Sequence, residues 1–388
     1  MTTPWGAIFA LWFAGLCAAA QFSKIGVIFQ EVAMLWPDAG ARLGLVVSVV
    51  GAVGIVFGTT AGLLVARIGA RRLIVGALLA SAAVSVVQCL GLPLGVMIAS
   101  RIVEGFLHLA IVVSGPVLIA GLAAPKDQAA AMTLWSTFFA IAFAITALLG
   151  LPLVHATGAP WVLWAVHAGL MLSAAALLHH VLPRAEPGPV PPFRPGNLLS
   201  DHVRIYTDPR IGAPSIGFVF YTMIFIAIMT LVPGLVAPQF RALTATLMPL
   251  ASIVASLGLG MRLSRRLGAV RTVEIGYSVA ACAALLWAVT SGIAEIGAAF
   301  LLSAGLGFVQ GASFAAIPEL NPTAAGRAEA AGAMAQLGNI GTTLGTPLLA
   351  LLVQTMGATA ITAYAAPLCL CGIAVHLWQA RRRAFNES

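Results

Sequence analysis

The chain has 388 residues, of which 60% are hydrophobic and only 8% charged, against roughly 25% charged residues in soluble proteins. A soluble core of this size would lack the charges to cover its surface, so the composition excludes a soluble globular protein and predicts an integral membrane protein. The net charge of +8 would suggest nucleic acid in a soluble chain. Here the Lys and Arg residues fall almost entirely in loops between apolar runs, where they set topology and meet anionic lipid, so no nucleic-acid partner is expected.

A membrane-spanning helix needs about 20 apolar residues at a rise of about 1.5 Å each. Charges, prolines and glycines divide the chain into twelve such runs, at 5–30, 42–65, 72–92, 96–123, 128–154, 160–181, 212–237, 243–263, 271–291, 295–318, 327–353 and 359–379. The first run lacks a basic leading segment and is followed by many similar runs, so it reads as a span and not as a cleaved signal. Near its end Lys24 stands between Phe22 and Ile25, with Gln21 before it and Glu31 after it. Their spacing lets all three share one helix face. Either Lys24 reaches to the outer interface with Glu31 as its partner, or the stripe turns toward a cavity.

The fourth run carries Arg101 and Glu104, followed by His108. An ionised side chain at the centre of a span costs about 3 kcal/mol on insertion scales, so a charge retained there is paired or faces water. Spacings of three and four put all three side chains on one face, a candidate working face. The bland alternative is an ion pair that only fixes helix packing.

Between the sixth and seventh runs lies a polar stretch, 183–210, with Pro187, Pro189, Pro191, Pro192 and Pro195 and four arginines, Arg184, Arg194, Arg204 and Arg210. It cannot span. It divides the chain into a first bundle over 1–182, a linker over 183–210, a second bundle over 211–380 and a tail over 381–388. The second bundle is poorer in charge and offers Tyr221, Gln310, Gln336 and Asn339. These suit either a substrate or hydrogen bonds between helices. Glu319, before Asn321-Pro322, is expected in the cytoplasmic gate or loop.

Lys and Arg concentrate on the cytoplasmic side of short loops. With a cytoplasmic N-terminus, sixteen of them lie inside and only Arg42 and Arg241 outside, which predicts that both termini and the linker are cytoplasmic. The halves also resemble each other. Arg67-Ile68-Gly69-Ala70-Arg71-Arg72 matches Arg266-Leu267-Gly268-Ala269-Val270-Arg271; Gly105 and Pro116 match Gly307 and Pro318; Gly150-Leu151-Pro152 matches Gly345-Thr346-Pro347. Such repeats commonly build transporters with the substrate between the halves.

The loop from Gly62 to Arg72 resembles the signature between the second and third helices of the major facilitator superfamily, and Arg101-x-x-Glu104-Gly105 resembles its fourth-helix motif. The resemblance covers essentially the whole chain. It implies an all-α membrane protein with twelve transmembrane helices in two pseudo-symmetric six-helix bundles that rock about a central cavity. Gly62, Arg67, Gly69, Arg71, Arg72, Arg266 and Gly268 are then expected in a conformational gate. Ala66 stands where the motif usually has Asp, so the charge lock attributed to that Asp is weakened or falls to another carboxylate. The fifth span also lacks the Gly- and Pro-rich pattern of drug/proton antiporters.

The five cysteines sit in apolar runs without CxxC spacing and read as small hydrophobes. With no phosphate loop, nucleophile elbow or metal-ligand cluster in the sequence, neither an enzyme nor a cofactor is expected. The reading is a monomeric secondary transporter of a small organic anion in a bacterial inner membrane. Lys24, Arg101, Gln21, His108, Tyr221, Gln310, Gln336 and Asn339 are the candidate substrate residues, and Glu104 and Glu31 the candidate proton-coupling groups. The competing reading is a proton-driven exporter of amphipathic or cationic drugs.

Overall fold

The computed structural model describes residues 2–183 and 195–387. Arg184, Arg194 and Pro187, Pro189, Pro191 and Pro192 of the expected linker lie outside the described residues. The described chain is almost entirely helical. Eleven stretches are long and apolar enough to cross a membrane, and the last of them, Ala324–Phe385, holds two helices, Ala324–Met356 and Ala360–Glu387, separated at Gly357. That gives the twelve expected spans, six on each side of the linker.

Duplication is visible in the backbone. Gly69, between the second span (Leu43–Ile68) and the third (Ala70–Gln88), has φ 93°, and Gly268, before the ninth (Ala269–Val289), has φ 86°. Both turns need the positive φ that glycine adopts without a Cβ clash. Equivalent helices also make equivalent contacts. Gly105 of the fourth span (Leu94–Leu122) lies against Val50 and Val53 of the second, and Gly307 of the tenth (Ile293–Leu320) against Ser252 of the eighth (Pro238–Leu267).

The first span differs from its expected extent. Its helix is Trp5–Gly26, the chain leaves helical geometry at Ile28, and a separate short helix covers Phe29–Ala33. The stripe from Gln21 and Lys24 to Glu31 therefore does not exist as one face. Glu31 pairs instead with His155 of the fifth span (Pro125–Thr157) at 2.7 Å. The expected stripe requires one helix across Gly26, and the break there turns Glu31 away.

The halves are joined near the face that carries both termini. The second span and the eleventh (Ala324–Met356) meet there backbone to backbone: a carbon added at Gly62 would lie 2.5 Å from the Ala328 carbonyl oxygen, and one at Gly332 would lie 2.6 Å from that of Gly58. Such closeness requires small residues, as in other packed membrane helices. Seven-residue steps keep Gly58, Gly51 and Gly44 on nearly the same face. A carbon at Gly51 would stand 3.4 Å from Asn339, and one at Gly44 would meet nothing within 4 Å. The seam is thus closed toward the termini and opens toward the opposite face.

Candidate functional site

The apolar first span delivers Lys24 into the first bundle, where it is 2% exposed. Its Nζ donates to Glu104 Oε1 at 2.5 Å, Gln88 Oε1 at 2.9 Å and Ser85 Oγ at 3.1 Å, and lies 3.2 Å from His167 Nδ1. Arg101 donates Nη1 to Glu104 Oε2 and Nε to the Val46 carbonyl at 2.8 Å, while its Nη2 meets no acceptor among the described residues. Gln88 Nε2 donates to Glu104 Oε2 at 2.8 Å. One carboxylate therefore holds a lysine, an arginine and an amide, gathered from the first, third and fourth spans. The second span supplies a carbonyl and the sixth (Val162–Val181) a histidine.

Tautomers follow from the acceptors. His167 Nε2 is 3.0 Å from the Cys17 carbonyl, which can only accept, so this nitrogen carries a proton and the neutral ring presents Nδ1 as an acceptor to Ser85 at 2.7 Å, the three Lys24 protons being taken by Glu104, Gln88 and Ser85. His108 Nδ1 donates to the Ala18 carbonyl at 3.1 Å and to Gln21 Oε1 at 3.2 Å, and Gln21 Nε2 donates to Ser81 Oγ at 3.1 Å. With both rings neutral, the cluster counts two cations against one carboxylate.

Lys24, Arg101, Glu104, His108 and Gln21 are therefore brought together. All five are buried, however, and in this conformation none opens to the space between the halves. The link to that space is Phe22. Its ring meets His108 edge-on at 5.0 Å and Phe139 at 5.7 Å, and it lies 3.9 Å from a carbon placed at Gly51, where Asn339 of the other half also approaches. In the second half Tyr221 is stacked between Phe218 at 5.0 Å and Phe225 at 5.2 Å, with Phe314 against Phe218 at 5.6 Å, and the first three of these rings are buried.

Gln310 and Gln336 fall in the seam. Gln310 Nε2 donates to the Ser136 carbonyl at 2.6 Å. Gln336 Nε2 donates to the Ile55 carbonyl at 2.6 Å, and its Oε1 accepts from Tyr206 at 2.6 Å and from Thr59. Tyr206 belongs to a linker helix, Leu198–Thr207, whose Arg204 forms a two-pronged pair with Glu329 of the eleventh span at 2.7 and 3.0 Å. That pair ties the linker to the second half; a different one, Arg265 to Asp127 at 3.9 Å, crosses between halves.

The gate residues divide. Gly62 lies in the seam, and Arg72 and Arg266 are exposed. Arg67 donates to the Leu63 carbonyl of its own helix at 3.1 Å. Arg71 stays within its half and donates to the carbonyls of His179 at 2.9 Å and Leu182 at 3.2 Å. Gly268 lies beside Glu319, whose Oε2 accepts from the Ala269 N–H at 2.7 Å and caps the ninth span.

Sequence reasoning missed Gln88, Ser85, Thr59, Tyr206 and the rings of Phe22 and Phe139 beside His108. Ser81, Ser85 and Gln88 were discoverable, because steps of four and three put them on one face of the third span. Phe22 and Phe139 carried no such signal, since an aromatic in an apolar run is ordinarily packing.

A family model described as Major Facilitator Superfamily matches residues 11–337. The chain is 26% identical over 232 residues to the inner membrane transport protein YajR of Escherichia coli (strain K12), a match covering 60% of this chain and 49% of that protein. It thus spans about half the length of that relative. Two solved structures share the fold over nearly the whole chain. The human organic anion transporter MFSD10 has a TM-score of 0.75 at 15% identity, covering 96% of this chain and 99% of its own. The E. coli fucose:proton symporter FucP has a TM-score of 0.78 at 12% identity, covering 96% and 98%.

Proposed function

Because the chain belongs to the major facilitator superfamily, whose members are transporters and not enzymes, we propose that it is a monomeric secondary transporter moving a small organic anion by alternating access, coupled to protons through Glu104. One observation carries the reading: Lys24 and Arg101 face a single carboxylate, leaving one uncompensated cation behind the wall formed by Phe22 and His108. A unit charge about 10 Å away at an effective dielectric constant of about 20 contributes about 1.7 kcal/mol. An anion against Phe22 would feel that attraction while the cations stay buried. One fold relative is named an organic anion transporter and another a sugar:proton symporter, precedents on this scaffold for both parts of the reading.

The rings of Phe22 and Phe139, with Glu104, favour a second reading, export of amphipathic or cationic compounds. Binding to purified, monodisperse variants separates the two. On the anion reading, Arg101→Gln and Lys24→Gln each weaken anion binding about tenfold or more, and Arg101→Lys, which keeps the charge, recovers most of it. Undiminished anion binding in Lys24→Gln and in Arg101→Gln/Glu104→Gln would remove the anion site and leave the cluster as a clasp. Loss of cation binding in Glu104→Gln alone would install the exporter.

Membership, the match to an inner membrane protein and the loop charges support a bacterial inner membrane with both termini cytoplasmic. A cysteine at Ser200, in the linker helix, is then shielded from an impermeant thiol reagent in intact cells. Labelling it from outside overturns the orientation.

A further inference from the structure

The third and sixth spans of the first half correspond to the ninth and twelfth (Ala360–Glu387) of the second, and their ends near the termini are finished differently. In the first half Arg71 closes the gap by bonding the last carbonyls of the sixth span. At the matching position the second half has Val270. The twelfth helix also runs on to Glu387, so its carbonyls are engaged in its own backbone. The ninth and twelfth spans touch where Gly372 lies against the Tyr277 ring. On the termini side of that contact is an open groove of about 570 Å³, lined by Leu267, Arg271, Glu274, Ile275, Ser278, Ile373 and Leu377.

The groove is apolar along its length and basic at its head. Ile373, Leu377 and Arg381 follow at four-residue steps on one face of the twelfth helix, and Arg271 and Ile275 do the same on the ninth. The Arg271 side chain is 72% exposed; it gives Nη1 to Glu274 at 3.1 Å, which leaves the rest of its planar donor fork available. Arg381, one turn beyond Leu377 on the same helix face, and Arg266, next to Leu267 in the chain, are exposed. Trp378, half exposed, carries the Arg382 guanidinium 4.9 Å over its ring. Tryptophan flanked by arginines is the pattern found at headgroup level.

We infer that this groove binds an anionic phospholipid of the leaflet on the termini side. The phosphate sits between Arg271 and Arg381, where guanidinium groups match its geometry, and an acyl chain lies along Ile275, Ile373 and Leu377. Charge complementarity selects the occupant: a membrane groove headed by two arginines favours a net negative headgroup over a zwitterionic one. The site lies outside the proposed transport pathway and does not depend on the substrate reading.

The test is native mass spectrometry of the full-length protein with phosphatidylglycerol or phosphatidylcholine. Wild type retains the anionic lipid preferentially. Arg271→Gln/Arg381→Gln lowers that retention roughly twenty-five-fold, from roughly fivefold per arginine, and lowers phosphatidylcholine retention less, so that the preference for the anionic lipid is lost. Ile275→Trp, which fills the groove without touching a charge, lowers retention of both. Equal retention of the two lipids by wild type, or unchanged phosphatidylglycerol binding in the double variant, overturns the site. Displacement of the lipid by inorganic phosphate would show a soluble-anion site instead and equally overturn it.

Discussion

Carried along at the spacing that matches Gly105 to Gly307, Arg101 and Glu104 of the fourth span fall opposite Ser303 and Leu306 of the tenth, and His108 falls opposite Gln310. The backbone contact is the same in both halves, glycine against the neighbouring helix. What each half buries is not. The first encloses Lys24, Arg101 and Glu104, whereas at the matching place Ser303 only bonds back to the Ala299 carbonyl at 2.9 Å. Helix packing therefore does not require the charges, since the second half achieves it with Ser, Leu and Gly. Ions kept where an apolar residue would serve carry a cost of desolvation, and a function that uses them is the reason we favour.

The largest expected effect comes from breaking that cluster. Glu104→Gln leaves two buried cations without a carboxylate and should cost about 3 to 5 kcal/mol, read as a fall in thermal midpoint. Ser303→Ala in the other half should cost less than about 1 kcal/mol. Importing the second half's solution, Arg101→Ser/Glu104→Leu with Lys24→Met, should restore much of the stability and abolish transport. A triple variant that still transports would show that the charges are a clasp only.

The seam comes next. Gln336→Ala removes the amide that joins Ile55, Thr59 and Tyr206, at about 1 to 3 kcal/mol for a buried polar partner left unmade. Distances measured between spin labels at the termini ends of the second and eleventh spans should lengthen. Arg71→Gln should leave those distances alone, because Arg71 ties the third span to the sixth within one half. If it lengthens them as Gln336→Ala does, the two roles are wrongly divided.

Arg204→Gln should move the same distances less, since Arg204 and Glu329 form a partly exposed pair and such pairs contribute about 0.2 to 1 kcal/mol. Added salt should mimic the substitution. The smallest effect belongs to Glu31, whose carboxyl is held below its ordinary value first by the His155 hydrogen bond and then by a backbone one. A lowered folded value stabilises above the unfolded carboxylate range, and the gain is lost as pH falls through the folded value. His155→Gln should therefore lower the thermal midpoint slightly near pH 7, leave it unchanged at the acid end, and so flatten the decline between the two. An equally steep decline would remove the contact.

Twelve spans, the division at the linker and the repeat were legible in the sequence because each is a local property. A run of about 20 apolar residues has one way to satisfy its backbone in lipid, as a helix, and a repeated Gly-Ala-x-Arg turn reads the same wherever it stands. Arg101, Glu104 and Lys24 were conspicuous for the same reason, as charges that lipid would not tolerate alone. Which groups answer them was not legible. Lys24 appeared to have Glu31 for a partner along one helix, but the chain breaks after Gly26, and Glu104, from another span, holds it instead. Gln310 and Gln336 looked like substrate contacts because an amide in a span has the same composition whether it faces a cavity or a neighbouring helix. Only the docking of the two halves decided between these, since pairing across helices depends on which faces meet, and periodicity within one helix carries no information about its neighbours.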